Sequence, residues 1–140
     1  MSARMKSALC AITALAGLVL VAPQATAQAA YPTNTFRVSY GASYAQGTMT
    51  WFNRTVRLTG DLRTLSSSGC RKAYAATFDS AVDLLGERNT SAKCGDAVRS
   101  FQLDVPADVV GGAYATSVCL LDANGVVLGD CVAYFRGDAG

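Results

Sequence analysis

The 140-residue chain contains no histidine. That absence removes Ser-His-Asp and Cys-His nucleophilic sites, together with every metal centre that rests on imidazole nitrogen. Five cysteines are present. Cys10 lies in an apolar leader, while Cys70, Cys94, Cys119 and Cys131 form an even set that reads, in an exported chain, as two disulfides. Paired cysteines leave no thiolate for zinc, an iron–sulfur cluster or covalent catalysis, and there is no glycine-rich phosphate loop or dinucleotide fingerprint. Carboxylates remain. Asp83 and Glu87 share a face if their segment is helical, which is the minimum a glycoside hydrolase needs. Acids four apart on a short helix are also ordinary solvated surface. Asp122 and Asp130 could approach across a hairpin as calcium ligands, yet Asp122-Ala123-Asn124-Gly125 is an everyday turn composition. No catalytic, cofactor-binding or metal-ligating residue is therefore assigned, and the expectation is a non-catalytic protein without a cofactor.

Three surface patterns have binding readings. Arg57, Asp61 and Arg63 share the polar face of one strand and could meet an acidic ligand, although interleaved charges on a sheet usually pair across strands. Tyr40, Tyr44, Trp51, Phe52 and Tyr114 could supply a sugar-stacking strip, against which a single Trp is better used in the core. Arg136-Gly137-Asp138 resembles the integrin-binding tripeptide of adhesion proteins, in a place where a frayed polar tail is equally expected. Asn53-Arg54-Thr55 and Asn89-Thr90-Ser91 match the glycosylation acceptor pattern.

The N-terminal residues set the compartment. Arg4 and Lys6 precede an apolar run from Ala8 to Ala22, then Pro23, then the small residues of Ala25-Thr26-Ala27 and Ala27-Gln28-Ala29. Cations, apolar helix, small-residue cleavage site is the order of a secretory signal peptide, with the cut expected after Ala27 or Ala29. The run is too short for the roughly 20 residues a membrane-spanning helix needs. Leu9 before Cys10 does not suit lipid attachment, and there is no Arg-Arg pair. Residues 1–29 are thus expected to leave and residues 30–140 to form a single domain outside the cell. Of the 12 basic residues, Arg4 and Lys6 lie in the leader, so the mature domain carries ten cations against 10 acids. A neutral domain has no electrostatic footprint for nucleic acid or anionic membrane.

Downstream, apolar alternation marks strands. Phe36, Val38 and Tyr40 alternate with Arg37 and Ser39, after a solvated leader at residues 31–35. Residues 44–52 and 53–65 follow, with Val56, Leu58 and Leu62 on one face; then residues 71–79, 98–105, 113–121 and 126–135. Ser80–Arg88 is assigned a short helix, with a loop as the alternative. Six or seven strands separated by turns every 8 to 12 residues give an all-β fold, a small antiparallel Ig-like β-sandwich. Its core is expected from Phe36, Trp51, Phe52, Val56, Leu58, Leu62, Tyr74, Phe78, Phe101, Leu103, Tyr114, Val118, Leu120 and Tyr134.

Four cysteines allow three pairings. Cys70 with Cys94 and Cys119 with Cys131 is preferred, because the second pair flanks the turn at Asn124-Gly125. A hairpin centred there puts Cys119 opposite Asp130, and a bulge at Gly129 would carry Cys131 into place.

Gly47-Thr48-Met49-Thr50-Trp51-Phe52-Asn53-Arg54 and the strand after it, Ser68-Gly69-Cys70-Arg71 and the turn at residues 106–112 resemble small secreted actinobacterial β-sandwich-like proteins of uncharacterised function. The resemblance implies export, β architecture and paired cysteines, and no activity. Subtilisin-inhibitor-like proteins and the apoproteins of enediyne chromoproteins are similar in size and two-disulfide β build, and fold alone carries no function. The reading is a secreted extracellular binding or interaction domain, its partner an unknown protein or glycan. The loops at residues 66–69, 87–96 and 106–112 are its expected contact surfaces. The rivals are a protein inhibitor of extracellular proteases, using Arg88–Cys94 as its loop, and a carboxylate-dependent hydrolase.

Overall fold

The computed structural model describes residues 30–140, so the signal-peptide assignment lies outside the described residues. Eight strands form two antiparallel four-stranded sheets, one more strand than the sequence pattern gave. They are β1 (Thr33–Tyr40), β2 (Ser43–Trp51), β3 (Thr55–Thr64), β4 (Lys72–Phe78), β5 (Leu84–Asn89), β6 (Ala97–Pro106), β7 (Ala115–Leu121) and β8 (Val127–Phe135). The orders are β1-β2-β3-β6 and β5-β4-β7-β8. The chain crosses between sheets after β3, β5 and β6, so the pairs β3/β6 and β4/β7 interlock and neither sheet can close without the other. No helix among the described residues is long and apolar enough to cross a membrane.

The extra strand is where the sequence pattern fails. Ser80–Arg88 is not a helix: Asp79, rather than Ser80, organises the chain. Its Oδ1 accepts hydrogen bonds from the backbone N–H of Ala81 and Asp83, both at 2.9 Å. That closes a tight turn and sends Leu84–Asn89 back along β4. Gly86, a weak point in a helix, is here a close approach: a Cβ would lie 2.5 Å from the Pro106 carbonyl oxygen. The 31–35 leader is also shorter than expected, since β1 starts at Thr33 and pairs with Thr50.

Sheet one supplies the large core side chains. Trp51, Met49, Val56, Leu58, Leu62 and Val105 are fully buried, facing Ala73, Ala75, Val118 and Leu120 of sheet two. The alanines of β4 leave room for the large side chains of sheet one, so the layers interdigitate. Phe36, Gly47, Gly60 and Phe101 form one inward row across all four strands of sheet one. The two edge-strand rings reach over the paired glycines until their centroids are 6.2 Å apart. Of the expected core, Tyr114 is exposed, and Phe52, Tyr74, Phe78 and Tyr134 are only half-buried.

The two sheets are tied together at two places by side-chain hydrogen bonds. Tyr134 Oη accepts a hydrogen bond from the Arg37 backbone N–H at 2.9 Å and donates to its carbonyl at 3.2 Å, tying β8 to β1. Thr77 Oγ1 donates to the Pro106 carbonyl at 2.5 Å, tying β4 to β6. The disulfides are Cys70–Cys94 and Cys119–Cys131, the preferred pairing. The hairpin register differs in detail: Leu120 faces Leu128 and Val118 faces Val132, so β8 carries two extra residues rather than one across the bulge. Gly129, at φ +69°, sits in it. The turn itself is wider than two residues, because Asp122 Oδ1 accepts from the backbone N–H groups of Asn124 and Val126.

Candidate functional site

The outer face of sheet two carries a cleft built by cross-strand rows. Leu84, Phe78, Ala115 and Phe135 form one row over β5, β4, β7 and β8. In it the two rings stand two strands apart, about 10 Å, with only a methyl group between them. The next row is Glu87, Ala76, Ser117 and Ala133, again small at its centre. Ala115, Ser117 and Ala133 thus make a floor, Phe78 and Phe135 make walls, and Tyr114 closes one end, edge-to-face on Phe135 at 5.7 Å. Val82 and Asp79 complete the rim of a cavity of about 350 Å³. Three of these apolar side chains are left in solvent: Val82 is 74%, Tyr114 49% and Phe135 40% exposed.

Val82 has φ +68°. A β-branched residue in the left-handed region costs roughly 1–2 kcal/mol. The Asp79 turn over-determines it: Val82 N–H donates to the Asp79 carbonyl at 3.0 Å and Asp79 N–H to that of Asp83 at 3.0 Å. The strain holds an apolar side chain out over the cleft instead of into the core.

Beyond Tyr114 lies a second concavity of about 490 Å³, lined by Pro32, Val110–Ala113, Arg136 and Ala139. Of the three expected contact loops, the one over residues 106–112 is the one that reaches this region. Ser66–Ser68 is a 3₁₀ turn whose first N–H and hydroxyl both bond Asp96, at 2.9 and 3.0 Å. These two bonds hold the Asp96 carboxyl below the usual carboxylate range. Residues 87–89 belong to β5. The segment after them lies along β4: Thr90 N–H bonds the Ala73 carbonyl and Arg71 exchanges two backbone bonds with Lys93.

The remaining expected features are separated or engaged. The helix that would align Asp83 with Glu87 is absent; Asp83 ends the Asp79 turn, and Glu87 Oε2 accepts from Tyr74 Oη at 2.6 Å. Arg57 pairs with Asp104 across β3 and β6 at 2.6 Å, and Asp61 accepts from Ser100 Oγ at 3.2 Å. The Arg57 guanidinium lowers the Asp104 carboxyl in turn. Trp51 is buried with its ring N–H on Asn34 Oδ1 at 2.5 Å, so of the five rings only Tyr40, with Arg71 beside it, and Tyr114 are exposed. Tyr44 instead lies under Arg37, and Phe52 lies beside Arg57 and Tyr31. Arg136 donates to the carbonyls of Phe52, at 3.2 Å, and Gly111, at 2.7 Å. Gly140 exchanges two backbone bonds with Thr33, so the Arg136–Asp138 tripeptide is a fastened 3₁₀ turn and not a frayed tail.

No protein-family model, curated protein or solved structure matches the chain. The cleft must therefore be read from its own chemistry. Alternation along β4, β7 and β8 would have placed these residues outward, but their convergence depends on the strand order, which the sequence does not state.

Tyr74, on the same outer face, gives a spectroscopic handle on this sheet. Burial first, then the hydrogen bond to Glu87 and its charge, push its phenol up to about 12. Absorbance titration should show one of the six tyrosines ionising near that pH, and Glu87→Gln should bring it down. Because the folded value lies above the ordinary one near 10, this group's contribution to stability is complete below pH 10 and is lost as pH rises towards 12.

Proposed function

We propose that residues 30–140 are a secreted, non-catalytic binding domain that seats a compact apolar group of a small ligand in the Phe78–Tyr114–Phe135 cleft. The observation that carries this reading is three aromatic rings, two of them exposed, and an exposed, strained valine arranged around a floor of small residues. Its volume lies within the 300–1,000 Å³ of small-molecule sites, which are apolar with a few placed polar groups. Ser117 and Tyr114 hydroxyls and the Asp79 carboxylate fill that role. Two disulfides in a small all-β domain agree with an oxidising compartment. The scarcity of polar lining groups favours an apolar ligand over a glycan. The inhibitor reading has less support, since residues 90–93 lie paired along β4 where a protruding loop is needed.

Titration with the neutral fluorophore N-phenyl-1-naphthylamine tests this. A saturable one-site enhancement is expected. Ala115→Ile, which fills the notch between Phe78 and Phe135 with a residue suited to a strand, should weaken it at least tenfold without lowering Tm. Val82→Gly should also weaken it while Tm holds or rises, because glycine accepts the left-handed conformation. Unsaturable binding, or binding unchanged in Ala115→Ile, refutes the proposal.

A further inference from the structure

Asp79 is the one formally charged residue lining the cleft. Its Oδ1 is occupied by the N–H groups of Ala81 and Asp83. Among the described residues Oδ2 takes no hydrogen bond, and no Lys or Arg lies within 4 Å; the ion pairs there join Arg54 to Asp108 and Arg57 to Asp104. A carboxylate beside an apolar cavity thus has no counter-ion among the described residues. Arg136, which lines the concavity beyond Tyr114, is held there by two carbonyls.

We infer that the cleft takes an alkylated ammonium ion: a quaternary or heavily methylated nitrogen set among Phe78, Tyr114 and Phe135 with its charge balanced by Asp79. This rests on the cleft being the binding site. Aromatic rings attract such cations through the electron-rich ring face, an attraction that grows as the cation is desolvated. A primary ammonium would bring three N–H donors to be satisfied. Asp79, with one oxygen already occupied, cannot satisfy all three, and most of the remaining lining is apolar. A quaternary nitrogen needs no acceptor and a tertiary ammonium needs only one, which Asp79 can supply; the methyl groups pack on Ala115 and Ala133 while the charge acts through space. The strained Val82 adds a further apolar contact from above. One cavity thereby meets both demands of such a ligand, an apolar surface and a single negative charge.

The test compares benzyltrimethylammonium with neopentylbenzene, which has the same shape and no charge, as competitors for N-phenyl-1-naphthylamine on the disulfide-intact domain. The ammonium is expected to displace the fluorophore at a concentration at least fivefold lower. In Asp79→Asn, whose amide oxygen still accepts the two N–H groups of the turn, the two competitors should come within twofold of each other. Equal or better displacement by neopentylbenzene, an unchanged ammonium affinity in Asp79→Asn, or no displacement by either compound overturns the ammonium inference and leaves the cleft as an apolar site. Failure of the fluorophore itself to bind overturns the cleft as well.

Discussion

Gly60→Ala is expected to cost at least about 3 kcal/mol in urea unfolding, a large share of the 5–15 kcal/mol that holds a domain of this size together. A Cβ there would lie 1.9 Å from the Gln46 carbonyl oxygen and 2.8 Å from the Gly47 Cα. Both are backbone atoms of the neighbouring central strand, so no side chain can swing away. Gly47→Ala meets the same wall from the other side, 2.1 Å from the Thr59 carbonyl oxygen. Relief requires β2 and β3 to part, and that withdraws the platform under the Phe36 and Phe101 rings. Gly125 supplies the contrast. It has φ +84° with nothing within 4 Å of an added Cβ, so alanine there pays only for backbone conformation, about 1 kcal/mol. A Gly60→Ala loss no greater than that of Gly125→Ala would mean that the sheet is softer than its glycine contact implies.

Strands were legible wherever burial on one face forced alternation. Val56, Leu58 and Leu62 against Arg57, Thr59 and Arg63 leave no other period, and β3 is found where that pattern puts it. β5 was not legible, because its buried side is nearly empty: Leu85 packs on the core while Leu84, Glu87, Arg88 and Asn89 are exposed. An edge strand held by β4 on one side and by a glycine against Pro106 on the other needs no alternating pattern to form. Local composition then reads as a capped helix, and tertiary pairing overrides it. Tyr114 failed for a related reason: an aromatic residue at the head of a strand counts towards the core in a sequence pattern, whereas here it stands at the mouth of a cleft.

Site residues were individually visible and collectively hidden. Phe78 and Tyr114 stood out as apolar, Phe135 ended the last strand, and Ala115, Ser117 and Ala133 carried no signal. What makes them a cavity is that small residues on β7 and β8 fall between large ones on β4 and β8, and this follows from a strand order of β5-β4-β7-β8. Cysteine pairing was the long-range fact the sequence did yield, since the turn at Asn124 fixed which cysteines could face each other. The two-residue bulge beyond it was not legible, because it depends on how far Asp122 widens the turn.

The two disulfides should separate under deletion. In the chain-entropy account, closing the 24-residue separation of Cys70–Cys94 and the 12-residue separation of Cys119–Cys131 stabilises the fold by about 3.5 and 3 kcal/mol. Paired Cys→Ala variants should therefore lose comparable stability by urea unfolding. Binding should not follow. Cys70–Cys94 joins the start of β4 to the segment before β6, at the end of sheet two away from Phe78 and Ala115. Cys119–Cys131 spans the bulge that sets where Ala133 and Phe135 fall opposite Ser117 and Ala115. Without it, β8 is free to slip, and a slip of one residue turns Phe135 from the cleft to the opposite face. At a temperature where both variants remain folded, N-phenyl-1-naphthylamine affinity should fall severalfold in Cys119→Ala/Cys131→Ala and stay near wild type in Cys70→Ala/Cys94→Ala. Equal losses in the two variants would show that the cleft does not depend on the register of β8, and would remove the second disulfide from the account of how the site is held.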